Sequence, residues 1–106
     1  MRLTVANALA RLAQVDTPFR ELLSHGSMSV EIYRPISVDR QTPHSRDELY
    51  VVASGSGWFV QGDSRERFDT GEVLFVPAGV EHRFEDFSED FVTWVIFYGP
   101  EGGEAA

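Results

Sequence analysis

The sequence predicts an all-β domain, a barrel or sandwich preceded by short helices, and three observations carry that expectation. From Ser27 onward the apolar period changes from helical to alternating, with Met28, Val30 and Ile32 on one side and Ser29, Glu31 and Tyr33 on the other. Short strand-like runs then recur at 48–53, 57–61, 65–68, 72–76, 82–85 and 91–97. Turn signals separate them: Gly55, Gly62-Asp63, Thr70-Gly71, Pro77-Ala78-Gly79 and Ser88. Short strands so closely spaced close into sandwiches or barrels.

Ahead of the strands, Val5, Ala8, Leu9 and Leu12 form the apolar stripe of a short amphipathic helix. A second helix is expected after it, with Thr17 as N-cap, Pro18 at the first helical position, an apolar face from Leu22 and Leu23, and Gly26 as the stop. His25, beside that helix end, reads as a structural histidine. The chain thus divides into an N-terminal helical flap over residues 1–26, a barrel over 27–99 and a flexible tail over 100–106, whose Gly, Glu, Ala and Pro offer little apolar surface.

A length of 106 residues suits one domain, and the 42% apolar share, with eight Phe, two Trp and three Tyr, is enough for one core. Seventeen acids against nine bases leave a net charge of −8, which repels phosphates and anionic membrane surfaces, so neither nucleic acid nor membrane is an expected partner. No apolar run approaches the ~20 residues of a membrane span. With no Cys, disulfides, thiolate nucleophiles and Cys-ligated metals are excluded, and any metal must bind through nitrogen and oxygen. A soluble cytoplasmic protein is the expectation.

The chemistry sits in two segments with the spacing of metal ligands. In the first, His44 precedes Glu48 and then Gly55; in the second, Gly71 leads through Pro77 and Gly79 to His82. Two imidazoles and one carboxylate are the donor set of a facial triad for Fe(II), and suit Mn, Ni or Zn as well.

Both segments resemble the paired motifs of the cupin superfamily. His44 to Gly55 matches the second half of the first motif, and Gly71 to Asp86 matches the second motif except at its last position, where Asp86 stands for Asn. The resemblance covers roughly residues 32–98 and implies a double-stranded β-helix, or jelly-roll, barrel that holds one divalent ion through His44, Glu48 and His82. The first motif's leading Gly falls on Ile36 and its first His on Thr42, so one customary ligand is missing. Gln41 is the nearest replacement, because a bulge before Pro43 would turn its amide oxygen inward; Thr42 and water are the alternatives.

Strand alternation places Tyr50 and Val52 on the face of Glu48, and Phe84 and Asp86 on that of His82. Tyr50 is therefore the candidate catalytic acid, base or hydrogen-bond donor, and Trp58, Phe59, Phe75, Trp94 and Phe97 supply core and pocket wall. An aromatic cavity around one ion suits a small organic ligand with an oxygen donor. Two functional classes follow: a dioxygenase- or isomerase-like metalloenzyme, or a non-catalytic, even metal-free, binding module. The strand at 27–34, outside both motifs, is expected to be an exposed edge that pairs in a two-fold homodimer with help from the N-terminal helices.

Overall fold

The computed structural model describes residues 1–105. Helix α1 (Val5–Leu12) starts at Thr4, whose hydroxyl accepts from the Asn7 N–H at 3.1 Å, and buries Ala8 and Leu12. Eight strands follow: β1 (Phe19–His25), β2 (Met28–Tyr33), β3 (Asp47–Ser54), β4 (Gly57–Gln61), β5 (Ser64–Phe68), β6 (Val73–Val76), β7 (His82–Glu85) and β8 (Val92–Tyr98). They form a five-stranded sheet, ordered β1-β2-β8-β3-β6, and a three-stranded sheet, ordered β5-β4-β7, with every pairing antiparallel. Inward residues of both sheets, among them Tyr50, Val52, Phe59, Phe68, Phe84 and Phe91, make one core. Ala8 and Leu12 of α1 close a second, smaller core with Leu22, Ile32 and Val92 on the outer face of the larger sheet.

The second helix expected at 17–26 is instead strand β1. Its stop signal belongs to a hairpin: His25 pairs with Met28, and Gly26, at a φ of 58°, takes the first position of a two-residue loop, where positive φ favours Gly. Leu22 and Leu23, adjacent in sequence, share the outer side because a bulge lies between Glu21 and Leu23, a pairing that imitates a helical face. His25 accordingly ends a strand and meets no helix dipole.

Strand β2 is not an edge. It lies between β1 and β8, with Ile32 in the outer core and Tyr33 in the inner one, so the free edges of the larger sheet are β1 and β6. The tail folds back as far as it is described: the Gly102 N–H donates to Ser45 C=O at 2.6 Å and the Glu104 N–H to Asp47 Oδ2 at 2.8 Å.

Two positions inferred from alternation need correction. Asp86 lies just past β7 at a φ of 47°, and this left-handed turn swings its side chain outward to Arg65 at 3.0 Å. Asn and Asp tolerate that conformation best, which explains why Asp can stand where the motif has Asn. Phe75, on edge strand β6, points away from the barrel and is 47% exposed.

Candidate metal centre

Strand β3 carries Glu48 and Tyr50 on its inner face, strand β7 begins with His82, and the irregular segment before β3 carries Gln41 and His44. The register puts Glu48 opposite both Val76 and Phe97, in the middle of the larger sheet and away from solvent. The two segments that carry the candidate ligands are tied together by the backbone, because the Gly79 N–H donates to His44 C=O at 2.7 Å. Asp47, beside Glu48, accepts from the Ala78 N–H at 2.9 Å. The Pro77-Ala78-Gly79 turn that leads to His82 is thus latched onto the start of β3.

His44, Glu48 and His82 each offer one donor atom within 4.8 Å of the others. His82 Nε2 lies 2.9 Å and His44 Nε2 3.9 Å from Glu48 Oε1, and the imidazole centroids are 5.4 Å apart. His82 Nδ1 lies 2.9 Å from Val80 C=O, which can only accept, so Nδ1 carries the proton and Nε2 faces the cluster. Glu48 is fully buried, and beyond the His82 Nε2 that faces Oε1 at 2.9 Å neither carboxylate oxygen has a hydrogen-bond partner. A lone pair facing a buried carboxylate needs a proton or a cation between them. The donor set fits a divalent ion, and the two orphaned oxygens are what such an ion would satisfy.

The ionisation of the two imidazoles diverges. For His82, burial disfavours the charged ring, but the Glu48 carboxylate and the Val80 carbonyl outweigh it and raise the pKa. For His44 burial dominates over the attraction of Glu48 and, with repulsion from His82, lowers the pKa, which leaves a neutral ring with a free lone pair.

Gln41 turns its amide oxygen toward the same cluster, 3.3 Å from His44 Nε2, while the Tyr50 hydroxyl donates to that oxygen at 3.0 Å. Tyr50 also lies 3.0 Å from His82 Nε2 and is fully buried. Burial, followed by the Glu48 charge, pushes its pKa well up, so the phenol stays protonated and acts as a donor. Thr42 stands at the cavity mouth, exposed.

The residue that sequence reasoning missed is Asp39. Its carboxylate accepts from the Gln41 backbone N–H at 3.1 Å, the Gln41 side-chain amide at 2.7 Å, the Phe84 N–H at 2.8 Å and the Tyr33 hydroxyl. The bond to the N–H two residues on is an Asx-turn, and an Asp two places before a polar residue was the signal available. Asp39 fixes which end of the Gln41 amide points inward, since its oxygens can only accept from the NH2 end.

A cavity of about 410 Å³ opens on the cluster, walled by Phe19, Tyr33, Val95 and Phe97, with His44 and Glu48 at its base. Glu31 and Arg40 also line it. Burial, then the charges of Glu21 and Glu48, raises the Glu31 pKa against a smaller opposing effect of Arg46. Tyr50 and His82 sit behind this wall. Among the described residues no helix is long and apolar enough to cross a membrane.

Comparison with known proteins agrees with this fold. Residues 30–98 match the family model described as a cupin domain. The chain is 37% identical over 94 residues to an uncharacterized protein of Streptomyces coelicolor, covering 87% of this chain and 90% of that one. It is 33% identical over 54 residues to the acireductone dioxygenase of Drosophila pseudoobscura pseudoobscura, covering 46% of this chain but only 29% of the dioxygenase. Among solved structures, a cupin-2 domain containing protein of Shewanella frigidimarina superposes with a TM-score of 0.66 at 17% identity, over 90% of this chain and 95% of that one, a likeness of fold. With the second half of one motif, all but the last position of the other, an antiparallel barrel and a family match that spans both segments, the chain belongs to the cupin domain family.

Proposed function

We propose that the protein is a small metal-dependent cupin in which His44, Glu48 and His82 hold one divalent ion, Fe, Mn, Ni or Zn, with the Gln41 amide oxygen as fourth donor. The observation that carries this reading is the buried Glu48 carboxylate, which has no polar partner other than the imidazole nitrogens it faces. When bound, the ion supplies Lewis-acid or redox chemistry to an oxygen-bearing small organic molecule. The residues of the chain do the rest. Phe19, Val95 and Phe97 bind the apolar part of the substrate and exclude water, and the Tyr50 hydroxyl keeps Gln41 oriented by donating to its amide oxygen from behind. Glu31, whose pKa is raised, is placed on the cavity wall to hold or move a proton.

The activity this arrangement supports is dioxygenase- or isomerase-like, and in this reading the working unit is a cytoplasmic homodimer. The partial similarity to a dioxygenase supports the first of the two activities. Elemental analysis of the purified protein, followed by oxygen-uptake assays on the metal-loaded form with small diketones, catechols and thiols, tests it. One equivalent of ion with oxygen consumption or product formation is the expected result. Ligand binding without turnover assigns the protein to the non-catalytic alternative, and failure to bind any of the four metals overturns the reading.

A further inference from the structure

Strand pairing sets two carboxylates side by side in the larger sheet. Glu31 of β2 lies opposite Glu21 of β1 on one side and Val95 of β8 on the other, and both Glu31 and Val95 line the cavity. Like charges directly opposite each other on antiparallel strands destabilise a sheet unless something offsets them. Nothing in the chain does so. Among the described residues Glu31 takes part in no ion pair and no side-chain hydrogen bond. Arg46, whose charge reaches Glu31, is committed to the Ser27 carbonyl and the Ser29 hydroxyl. Arg40 lines the same cavity, but it is exposed and does not pair with Glu31. Around the half-buried Glu31 the wall is aromatic, with Phe19, Phe97 and Tyr33, and the Tyr33 hydroxyl is taken up by Asp39. A carboxylate without a partner among ring faces draws a cation twice over, by a charge-assisted hydrogen bond and by the ring quadrupoles.

We propose that Glu31 sets the specificity of this cavity, and that the substrate carries a protonated amine, held by the Glu31 carboxylate with Phe19 and Phe97 around it, in addition to its oxygen donor. The proposal deepens the reading above and rests on it for the oxygen-binding end. The ion of that reading offsets the charge of Glu48, which leaves Glu31 and Glu21 as the acids that a ligand has to match. The proton that Glu31 holds is then the amine's own, shared across an N–H···O bond. Burial, then the charges of Glu21 and Glu48, penalise the empty carboxylate, and a bound cation relieves each of these costs. A neutral or anionic ligand leaves the repulsion between Glu21 and Glu31 in place. The net charge of −8 acts in the same direction, since it draws cations toward the chain and turns anions away.

Tyramine, para-ethylphenol and para-hydroxyphenylacetate share a phenol and end in a positive, a neutral and a negative group. Each is titrated into the isotope-labelled full chain, with and without Zn, and the backbone amide shifts of Val95 and Phe97 give the affinities. Tyramine is expected to bind about tenfold more tightly than para-ethylphenol, the scale of one hydrogen bond to a charged group. The acid is expected to bind most weakly. Glu31→Gln removes a repulsion and should keep the fold, while tyramine falls to the level of para-ethylphenol. Glu31→Lys should place the acid first. If Glu31→Lys fails to fold, Glu21→Arg, at an exposed position, supplies Glu31 with a partner and should likewise abolish the preference for tyramine. A wild type that binds none of the three, that binds tyramine no more tightly than para-ethylphenol, or that binds the acid best, as Arg40 would dictate, overturns the proposal. So does a preference for tyramine that survives Glu31→Gln. A chain that keeps this order yet binds no Zn overturns the metal centre and leaves the amine site standing.

Discussion

The Gly79 N–H donates to the His44 carbonyl across 2.7 Å, joining the turn that delivers one candidate ligand to the residue that is another. Gly79 holds a φ of 80°, in the left-handed region, where an L side chain costs about 1–2 kcal/mol. No atom lies within 4 Å of where its Cβ would be, so the cost is conformational rather than a clash. Gly79→Ala is therefore expected to lower the stability by about that amount and to weaken metal binding. Thermal melts with and without added Mn or Zn measure both effects.

Removing a candidate imidazole donor is expected to cost more than removing a neutral amide oxygen. His82→Ala deletes an inward imidazole and is expected to nearly abolish metal binding, whereas Gln41→Ala should weaken it only modestly, about tenfold. Isothermal titration of the two variants separates the roles. Equal losses would make Gln41 a full ligand.

Glu48 carries a third prediction because one oxygen of its buried carboxylate has no partner and the other faces only the His82 imidazole at 2.9 Å. An unsatisfied buried group costs about 1–3 kcal/mol, and more when charged. In chelator-treated protein, Glu48→Gln is thus expected to be at least as stable as the wild type. The same variant should lose the rise in Tm that metal gives the wild type. A marked fall in the Tm of the chelated variant would show that Glu48 is structural.

Asp39 gathers four donors, from Tyr33, Gln41 twice and Phe84. Asp39→Ala orphans buried donors at about 1–3 kcal/mol each, so a loss of about 3 kcal/mol is expected by chemical denaturation. Asp39→Asn, whose NH2 faces the Gln41 amide, should fold better yet still weaken metal binding.

The tail depends on pH through Asp47. The backbone N–H groups of Glu104 and Ala78 hold its pKa below the ordinary carboxylate value. A lowered folded pKa gives stability that is present above the unfolded value near 4 and is lost as pH falls through the folded one. Asp47→Asn should flatten this acid-side loss in the pH dependence of Tm. It should also release residues 100–105 to carboxypeptidase digestion at neutral pH.

The strands at 57–61 and 82–85 and the inward set Glu48, Tyr50, Val52, His82 and Phe84 were legible in the sequence, because a side-chain period of two is a local property of an extended chain. The set His44, Glu48 and His82 was legible because its spacing from Gly55, Pro77 and Gly79 resembles the paired cupin motifs, in which turn residues such as Gly79, with its positive φ, have a local backbone requirement. Strand β1 was not legible, since Leu22 and Leu23 present one face only through a bulge, and a bulge is defined by the partner strand. Asp39 was invisible because its four donors come from β2, β7 and the loop between β2 and β3, and they converge only when the sheets face each other. That Asp86 would turn outward depended on a single left-handed residue past the end of β7. Pairing order belongs to the same group: Ser27 to Arg34 has the alternation of an edge strand, yet β2 is covered on both sides, because β8 returns from more than sixty residues along the chain to lie beside it. Local backbone geometry therefore determined most of the strands and the spacing of the candidate ligands, and long-range hydrogen bonding between strands decided β1, which surfaces are closed, which stay open and what surrounds the site.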